Sequence, residues 1–210
     1  MFSNSAKELA MLTARVLADY CPDTVAEAAY LFSETRDNEV SVMGMGAQLV
    51  RDGRARRLVL CDGGTDAGYP GAEDWRGRLT SGFDVPVKSI ETVQIPGRSA
   101  PNTRSEAETI VKKARDEGWE MVLIVAPAFH QIRAFATAVS AASRLCPSLK
   151  LYSVPGLPLR WGEKVVHSQG VVTGTRAAIF DGELDRLDLY HEKGDILSAK
   201  AILEYLDQRN

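Results

Sequence analysis

Met-Val-Leu-Ile-Val-Ala, residues 121–126, is the stretch of sequence that decides the fold. Its six apolar residues carry no charge, which is typical of a strand covered on both faces. Pro127 follows at once, and a helical pattern then runs over residues 129–145. A buried strand that leads into a helix of this length predicts a βαβ unit in a parallel sheet.

The same alternation extends in both directions along the chain. Strands are predicted at residues 28–32, 57–61, 90–95 and 149–154, and helices at 5–20, 38–51, 73–80 and 104–117. Strands that alternate with helices of about 10–15 residues predict a parallel sheet. We therefore expect an α/β, three-layer Rossmann-like domain with a mostly parallel central sheet. The strands ending at Phe32, Cys61, Ala126 and Val154 should be parallel neighbours.

Neither an internal repeat nor a low-complexity linker divides the chain, so residues 1–210 are expected to form a single domain. The core should cover about residues 28–170. From about residue 171 onward we expect a C-terminal helical appendage, with Gly182 and Gly194 as interruptions.

Composition excludes several function classes. The 210 residues are 45% hydrophobic and 25% charged, with a net charge of −3 and scattered basic residues, so a nucleic-acid partner is not expected. Three distant cysteines imply no disulfide framework. The first 20 residues lack the pattern of a signal peptide, and no uncharged apolar run could span a membrane. A cytoplasmic location without a membrane partner is predicted.

The ligand site is expected at the carboxyl ends of the strands, because open parallel sheets bind ligands there, beside helix N-termini. Four segments follow predicted strands at this edge: Ser33-Glu34, Asp62-Gly63-Gly64, Asn102-Thr103 and residues 126–130. Gly63 and Gly64 either allow a ligand to approach the backbone or simply form a turn. Thr103 and Glu106 have the spacing of a capping box, and Glu106 could instead face the pocket.

His130 is the candidate acid–base residue, since it lies at the strand edge three residues before Arg133. His167 and His191 have no such setting and are interpreted as surface residues. Arg133 is expected at a surface edge, where it would bind an anionic group and contribute little to stability.

Several familiar motifs are absent. Gly44-Met45-Gly46 falls within a helical pattern and lacks the third glycine of a dinucleotide fingerprint. The sequence contains no Walker motif, no GxSxG, no HExxH and no CxxC, so no metal site is predicted.

Four segments together resemble a known family, the YdcF-like domain of unknown function, a group that includes SanA-like and ElyC-like envelope proteins. The segments are Ser-Ala-Pro-Asn-Thr-Arg-Ser-Glu-Ala (99–107), Val-Ala-Pro-Ala-Phe-His-Gln-Ile-Arg-Ala (125–134), Leu-Cys-Asp-Gly-Gly (60–64) and Gly-Glu-Leu-Asp-Arg-Leu (182–187). Their order and spacing resemble the soluble YdcF-like branch from about residue 28 to residue 195.

The resemblance implies a Rossmann-like fold and a site built from seven residues: Gly63, Gly64, Asn102, Thr103, Glu106, His130 and Arg133. The sequence departs from the family at Ala126-Pro127, where a threonine and serine are usual, and at Ser33-Glu34, where a glycine is usual. The membrane anchor of the envelope members is also missing.

Two functions remain open from the sequence. One is a small-molecule enzyme, with His130 and Glu106 catalytic and with Gly63, Gly64, Asn102, Thr103 and Arg133 holding a nucleotide-like or phosphate-bearing ligand. S-adenosylmethionine is a candidate by analogy of fold. The other is a non-catalytic ligand-binding or sensor domain. A proton shuttle needs one histidine nitrogen held by a partner and a free nitrogen that faces an open pocket, whereas a histidine that only binds can be buried with both nitrogens satisfied by the protein. The oligomeric state is not determined by the sequence.

Overall fold

The computed structural model describes residues 4–65, 68–96, 101–167 and 172–209. Its helices are α1 (Asn4–Leu17), α2 (Glu39–Arg51), α3 (Ala72–Gly82), α4 (Thr103–Asp116), α5 (Ala128–Leu145), α6 (Arg176–Glu192) and α7 (Ala199–Gln208). Residues 99–100 of the family-like segment and the expected boundary at residue 171 lie outside the described residues.

Five strands form one parallel sheet: β1 (Ala28–Leu31), β2 (Leu58–Asp62), β3 (Ile90–Gln94), β4 (Met121–Ala126) and β5 (Lys150–Pro155). Their order is β3-β2-β1-β4-β5, and every neighbouring pair is parallel. The predicted α/β class and the predicted parallel neighbours are therefore confirmed.

Helices cover both faces of the sheet, as the apolar strand pattern predicts. Trp75 and Leu79 of α3 pack with Met43 of α2 in the apolar cluster on one face. Ile110 of α4 and Phe135 of α5 belong to the cluster on the other face, which α1 and α7 complete. The result is the expected three-layer arrangement.

The centre of the sheet contains the point where the strand order reverses. The central strands β1 and β4 are paired, with Leu31 opposite Val125 at their carboxyl ends. The chain then continues from β1 into α2 and from β4 into α5, which lie on opposite faces. Diverging connections leave a crevice at such a point, where doubly wound proteins bind ligands.

The segment after β5 differs from the expectation. An antiparallel hairpin follows, made of β6 (Lys164–His167), which lies at the end of the expected core, and β7 (Val172–Thr175), which begins the part predicted to be helical. These strands have only four residues each, too few for a clear alternating pattern. Gly182 does not interrupt a helix either; it lies within the 17 residues of α6, which packs against α5. Among the described residues, no helix is both long and apolar enough to cross a bilayer.

Gln131 ties α5 to the sheet and provides a test of this packing. Its amide oxygen accepts from the Ala126 N–H at 2.6 Å, and its amide nitrogen donates to the Ile124 carbonyl and to Ser153 Oγ, both at 2.8 Å. Gln131→Leu should lower the free energy of unfolding in urea by about 1–3 kcal/mol, because buried polar groups lose their partners. The same substitution at exposed Gln48 of α2 should change it by less than about 0.5 kcal/mol. Equal effects of the two substitutions would contradict this role.

Candidate functional site

A cavity of about 270 Å³ opens at the carboxyl edge of the sheet. Its walls come from the loop after β1 and from α4, α5 and α6 with the segment after α6. The lining residues are Ser33, Pro101, Asn102, Thr103, Arg104, Glu106, His130, Arg133, Thr137, Val172, Arg186, Tyr190, Asp195 and Ile196.

The structure brings together five of the seven residues predicted for the site, namely Asn102, Thr103, Glu106, His130 and Arg133. The other two, Gly63 and Gly64, follow β2 at the same edge and are half-buried. They are not among the described residues that line the cavity.

The start of α4 orients the polar residues of one wall. Asn102 is the N-cap: its side chain accepts from the Ser105 N–H, and Ser105 Oγ in turn accepts from the Asn102 N–H. The capping box thus lies one residue before the predicted Thr103–Glu106 pair. Because Ser105 completes the box, Glu106 is free to point inward, the alternative that the sequence left open.

Glu106 is a buried carboxylate with its contacts on one oxygen. Oε1 accepts from Tyr30 Oη at 3.0 Å and from the Ser33 N–H and Ser33 Oγ at 2.9 Å. Burial raises the pKa of Glu106 to about 7, although these three hydrogen bonds favour the ionised form. This cavity residue therefore changes charge near neutral pH.

His130 is held by the carboxylate that follows β1. Its Nδ1 lies 2.7 Å from Glu34 Oε1, and both side chains are buried. Burial, followed by the charge of Arg133, lowers the pKa of His130, so the imidazole is neutral at neutral pH. Pairing with a carboxylate places the proton on Nδ1, which leaves a lone pair on Nε2. That Nε2 lies 3.3 Å from Thr103 Oγ1.

Six side chains close a continuous loop of polar contacts, which we call the buried ring. In order they are Thr103, His130, Glu34, His167, Glu183 and Arg133, and Arg133 donates back to Thr103. Each of the six is less than one-tenth exposed. The ring joins α4, α5, α6, β6 and the loop after β1.

His167 is the cation that joins the two glutamates of the ring. Its Nδ1 is 3.5 Å from Glu34 Oε2 and its Nε2 is 3.4 Å from Glu183 Oε1, distances of ion pairs longer than ordinary hydrogen bonds. Burial disfavours the imidazolium, but the two carboxylates prevail and raise the pKa of His167 to about 9. Burial likewise opposes ionisation of Glu183, yet Arg133 and His167 hold its pKa well below the usual range.

Two sequence interpretations are wrong at this ring. His167 is fully buried and not a surface residue, because the hairpin is fixed to the loop after β1: Thr35 Oγ1 donates to the Val166 carbonyl at 2.6 Å, and the Val166 N–H donates to Asp37 at 2.7 Å. Arg133 is not at a surface edge either, since α6 covers it and supplies Glu183. His191 is exposed, as predicted.

Three further cavity residues were not singled out from the sequence, although Arg186 lies in the family-like segment 182–187. Arg186 and Tyr190 come from α6, and Asp195 follows that helix. Their approach depends on how α6 packs across α5, which no local pattern encodes. Arg104 lies beside the predicted Thr103 and was not singled out either. It donates to Glu108 and to Asp195 and so connects α4 with the segment after α6.

Comparison with known proteins adds no identity. No protein-family model matches the chain, and no curated protein matches it. Within the described parts of the chain, no group of three or more histidine, cysteine, aspartate or glutamate side chains is arranged to hold a metal ion. The site therefore has to be interpreted from its own chemistry: a neutral histidine, a carboxyl that titrates near pH 7, and arginines on the wall.

Burial of Arg133 leads to a stability prediction. Arg133→Met should lower the free energy of unfolding in urea by about 3–5 kcal/mol, because Glu183 loses its closest cation in a buried site. Arg144→Met, on the same helix at an exposed position, should change it by less than about 1 kcal/mol. If Arg133→Met left the free energy of unfolding unchanged, the result would favour the original prediction that Arg133 lies at a surface edge.

The ring also predicts how stability depends on pH. His167 has a pKa of about 9 in the folded protein, above its ordinary 6.5, so its contribution is complete below pH 6.5 and is lost as the pH rises toward 9. The loss is on the order of 3 kcal/mol. Urea unfolding at several pH values should show this decline in the native protein and in His191→Gln. In His167→Gln the decline should be largely absent.

Proposed function

We propose that the protein binds a phosphate-bearing small molecule in this cavity and carries out acid–base chemistry on it. One observation carries the proposal: Glu34 orients a neutral His130 so that Nε2 is directed to the Thr103 hydroxyl on the wall of an arginine-lined cavity. One nitrogen of His130 is held by a partner, as a proton shuttle requires, whereas the other contacts the Thr103 hydroxyl and not an open pocket. The proposed shuttle therefore acts through that hydroxyl.

The charge of the cavity wall supports an anionic ligand. Arg104, Arg133 and Arg186 all line the cavity, and Arg104 and Arg186 remain partly exposed. Each guanidinium has five N–H donors, so an arginine that pairs with one carboxylate keeps donors for a ligand. The first turn of α4 adds N–H groups that lack partners within the helix and favour negative charge.

Two groups in the cavity are suited to proton transfer near neutral pH. His130 is a neutral base, and Glu106 has a pKa of about 7. A general acid or base is most effective when its pKa lies near the working pH. Carboxyl groups with such raised values are enriched at functional sites.

The size of the cavity limits the class of ligand that we propose. A volume of about 270 Å³ lies just below the usual range for drug-sized ligands, so a small phosphate ester suits the cavity better than a large nucleotide. The resemblance to the YdcF-like family is compatible with such a site. S-adenosylmethionine remains a candidate by analogy of fold, and its carboxylate would supply the anionic group.

A second candidate is a sensor that binds the same ligand without reaction. It is favoured by the deep burial of His130, which is 2% exposed. The two candidates differ in one measurement: a bound phosphate ester is consumed by the enzyme and released unchanged by the sensor.

Binding can be tested by calorimetric titration with inorganic phosphate, adenosine monophosphate and S-adenosylmethionine. Arg186→Gln should weaken phosphate binding about tenfold or more, because a charge-assisted hydrogen bond contributes about 1.5–3 kcal/mol. Arg144→Gln removes an equal charge outside the described cavity lining and should leave the affinity unchanged. Absence of binding by all three ligands would contradict the proposal.

The pKa of Glu106 makes binding depend on pH, with sulfate as a probe that keeps its charge. Above pH 7 Glu106 ionises and repels the anion, so sulfate affinity should fall as the pH rises from 6 to 8. Glu106→Gln should remove this dependence. Glu117→Gln, at the other end of α4, should retain it. The same pH profile in both variants would exclude Glu106 from the site.

A further inference from the structure

We propose that the Thr103 hydroxyl is a nucleophile that accepts the phosphoryl group from a phosphate ester, with His130 as its base and Glu34 as the residue that positions His130. This inference rests on the proposed function, because the phosphoryl group must first bind in the cavity. It assigns the covalent step to an atom that the sequence analysis had placed only among ligand-binding groups.

The geometry is that of a hydroxyl–imidazole–carboxylate chain. Thr103 Oγ1 lies 3.3 Å from His130 Nε2, and His130 Nδ1 lies 2.7 Å from Glu34 Oε1. A nucleophilic hydroxyl needs an adjacent base, and the base needs a third group that fixes its orientation. All three side chains come from different elements at the carboxyl edge, namely α4, α5 and the loop after β1.

Arg133 determines where the hydroxyl proton points. Its Nη1 donates to Thr103 Oγ1 and so occupies one lone pair of that oxygen. The single hydroxyl proton then has His130 Nε2 as its acceptor, because Nε2 carries the lone pair. The Arg133 cation also stabilises negative charge on Oγ1 as the proton leaves.

Thr103 lies on the cavity wall, where the proposed ligand would bind. Thr103 is the first residue of α4 and lines the cavity, although it is only 8% exposed. The N–H groups of the first helical turn lie beside the hydroxyl, where a developing negative charge on phosphoryl oxygens would be stabilised. Three members of the ring line the cavity, namely Thr103, His130 and Arg133. The other three, Glu34, His167 and Glu183, are not among the described lining residues.

The reaction balances with water as the only co-reactant. Oγ1 attacks phosphorus, the bond from phosphorus to the ester oxygen breaks, and the Thr103 proton passes through His130 Nε2 to the departing alcohol. Water then attacks the phosphothreonine, His130 takes a proton from that water, and the proton returns to Oγ1 as inorganic phosphate leaves. No electrons are exchanged, and no oxidant or reductant is required.

The test uses p-nitrophenyl phosphate with the whole chain, acid quenching within the first turnover, and mass spectrometry of the intact protein and its peptides. We expect one phosphoryl group on the native protein, located at Thr103. Thr103→Ser should keep the adduct, whereas Thr103→Val should lose it. His191→Gln, outside the described cavity lining, should form it as the native protein does.

Positioning by Glu34 requires a separate readout. Glu34→Gln should slow p-nitrophenol release by about a hundredfold and alter the pH profile of kcat, because the tautomer of His130 is no longer fixed. Its KM should change little, since Glu34 is not among the described residues that contact the cavity. A Glu34 variant with a normal rate and pH profile would overturn the assigned chain.

Sulfate titration separates the two proposals. If the native protein binds sulfate but forms no adduct, or if the adduct lies on another residue, the nucleophile assignment is overturned and binding stands. If neither sulfate nor p-nitrophenyl phosphate binds, the proposed function fails as well. The assignment is also overturned if the Thr103→Val variant binds sulfate and still hydrolyses p-nitrophenyl phosphate. Should that variant not fold, the location of the native adduct and the activity of Thr103→Ser decide.

Discussion

Two buried carboxylates, Glu34 and Glu183, impose the constraint on which the site depends. Each is less than one-tenth exposed, and an isolated charge at such a position is costly. Within the buried ring, Arg133 and His167 balance the charge of the two carboxylates, and the partly exposed Arg186 also pairs with Glu183 at 2.8 Å. Removing Arg133 or His167 would leave the buried carboxylates with less compensating charge, which is costly at buried positions.

This requirement makes the C-terminal part of the chain integral to the site. Glu183 comes from α6 and His167 from the hairpin, while Arg133 comes from α5 and Glu34 from the loop after β1. Without the hairpin and α6, Glu34 and Arg133 would lose their outer partners. The same packing of α6 brings Arg186 to the cavity wall, beside Glu183 of the ring.

Local sequence patterns were sufficient for the sheet and for the position of the site edge. The apolar run of β4 and its neighbours predicted that the strands are parallel, and the edge rule placed Asn102, Thr103 and Glu106 together with His130. The role of His167 could not be predicted, because it depends on a four-residue strand that lies beside Glu34 only after the hairpin packs. Long-range charge pairing of this kind leaves no periodic signal in the chain.

Three residues of the ring line the cavity: Thr103, His130 and Arg133. A ligand that binds there would therefore act directly on the pKa of His130. Burial and the charge of Arg133 lower the pKa of His130 in the protein without a ligand. An anion beside Arg133 opposes that charge and favours the imidazolium. In the proposed reaction, the base would therefore become stronger when a phosphoryl group enters the cavity, which is when Thr103 would need to lose its proton. The carboxylate of Glu34 stays fixed behind the imidazole throughout, so the increase in basicity is expressed at Nε2, the nitrogen that faces the hydroxyl.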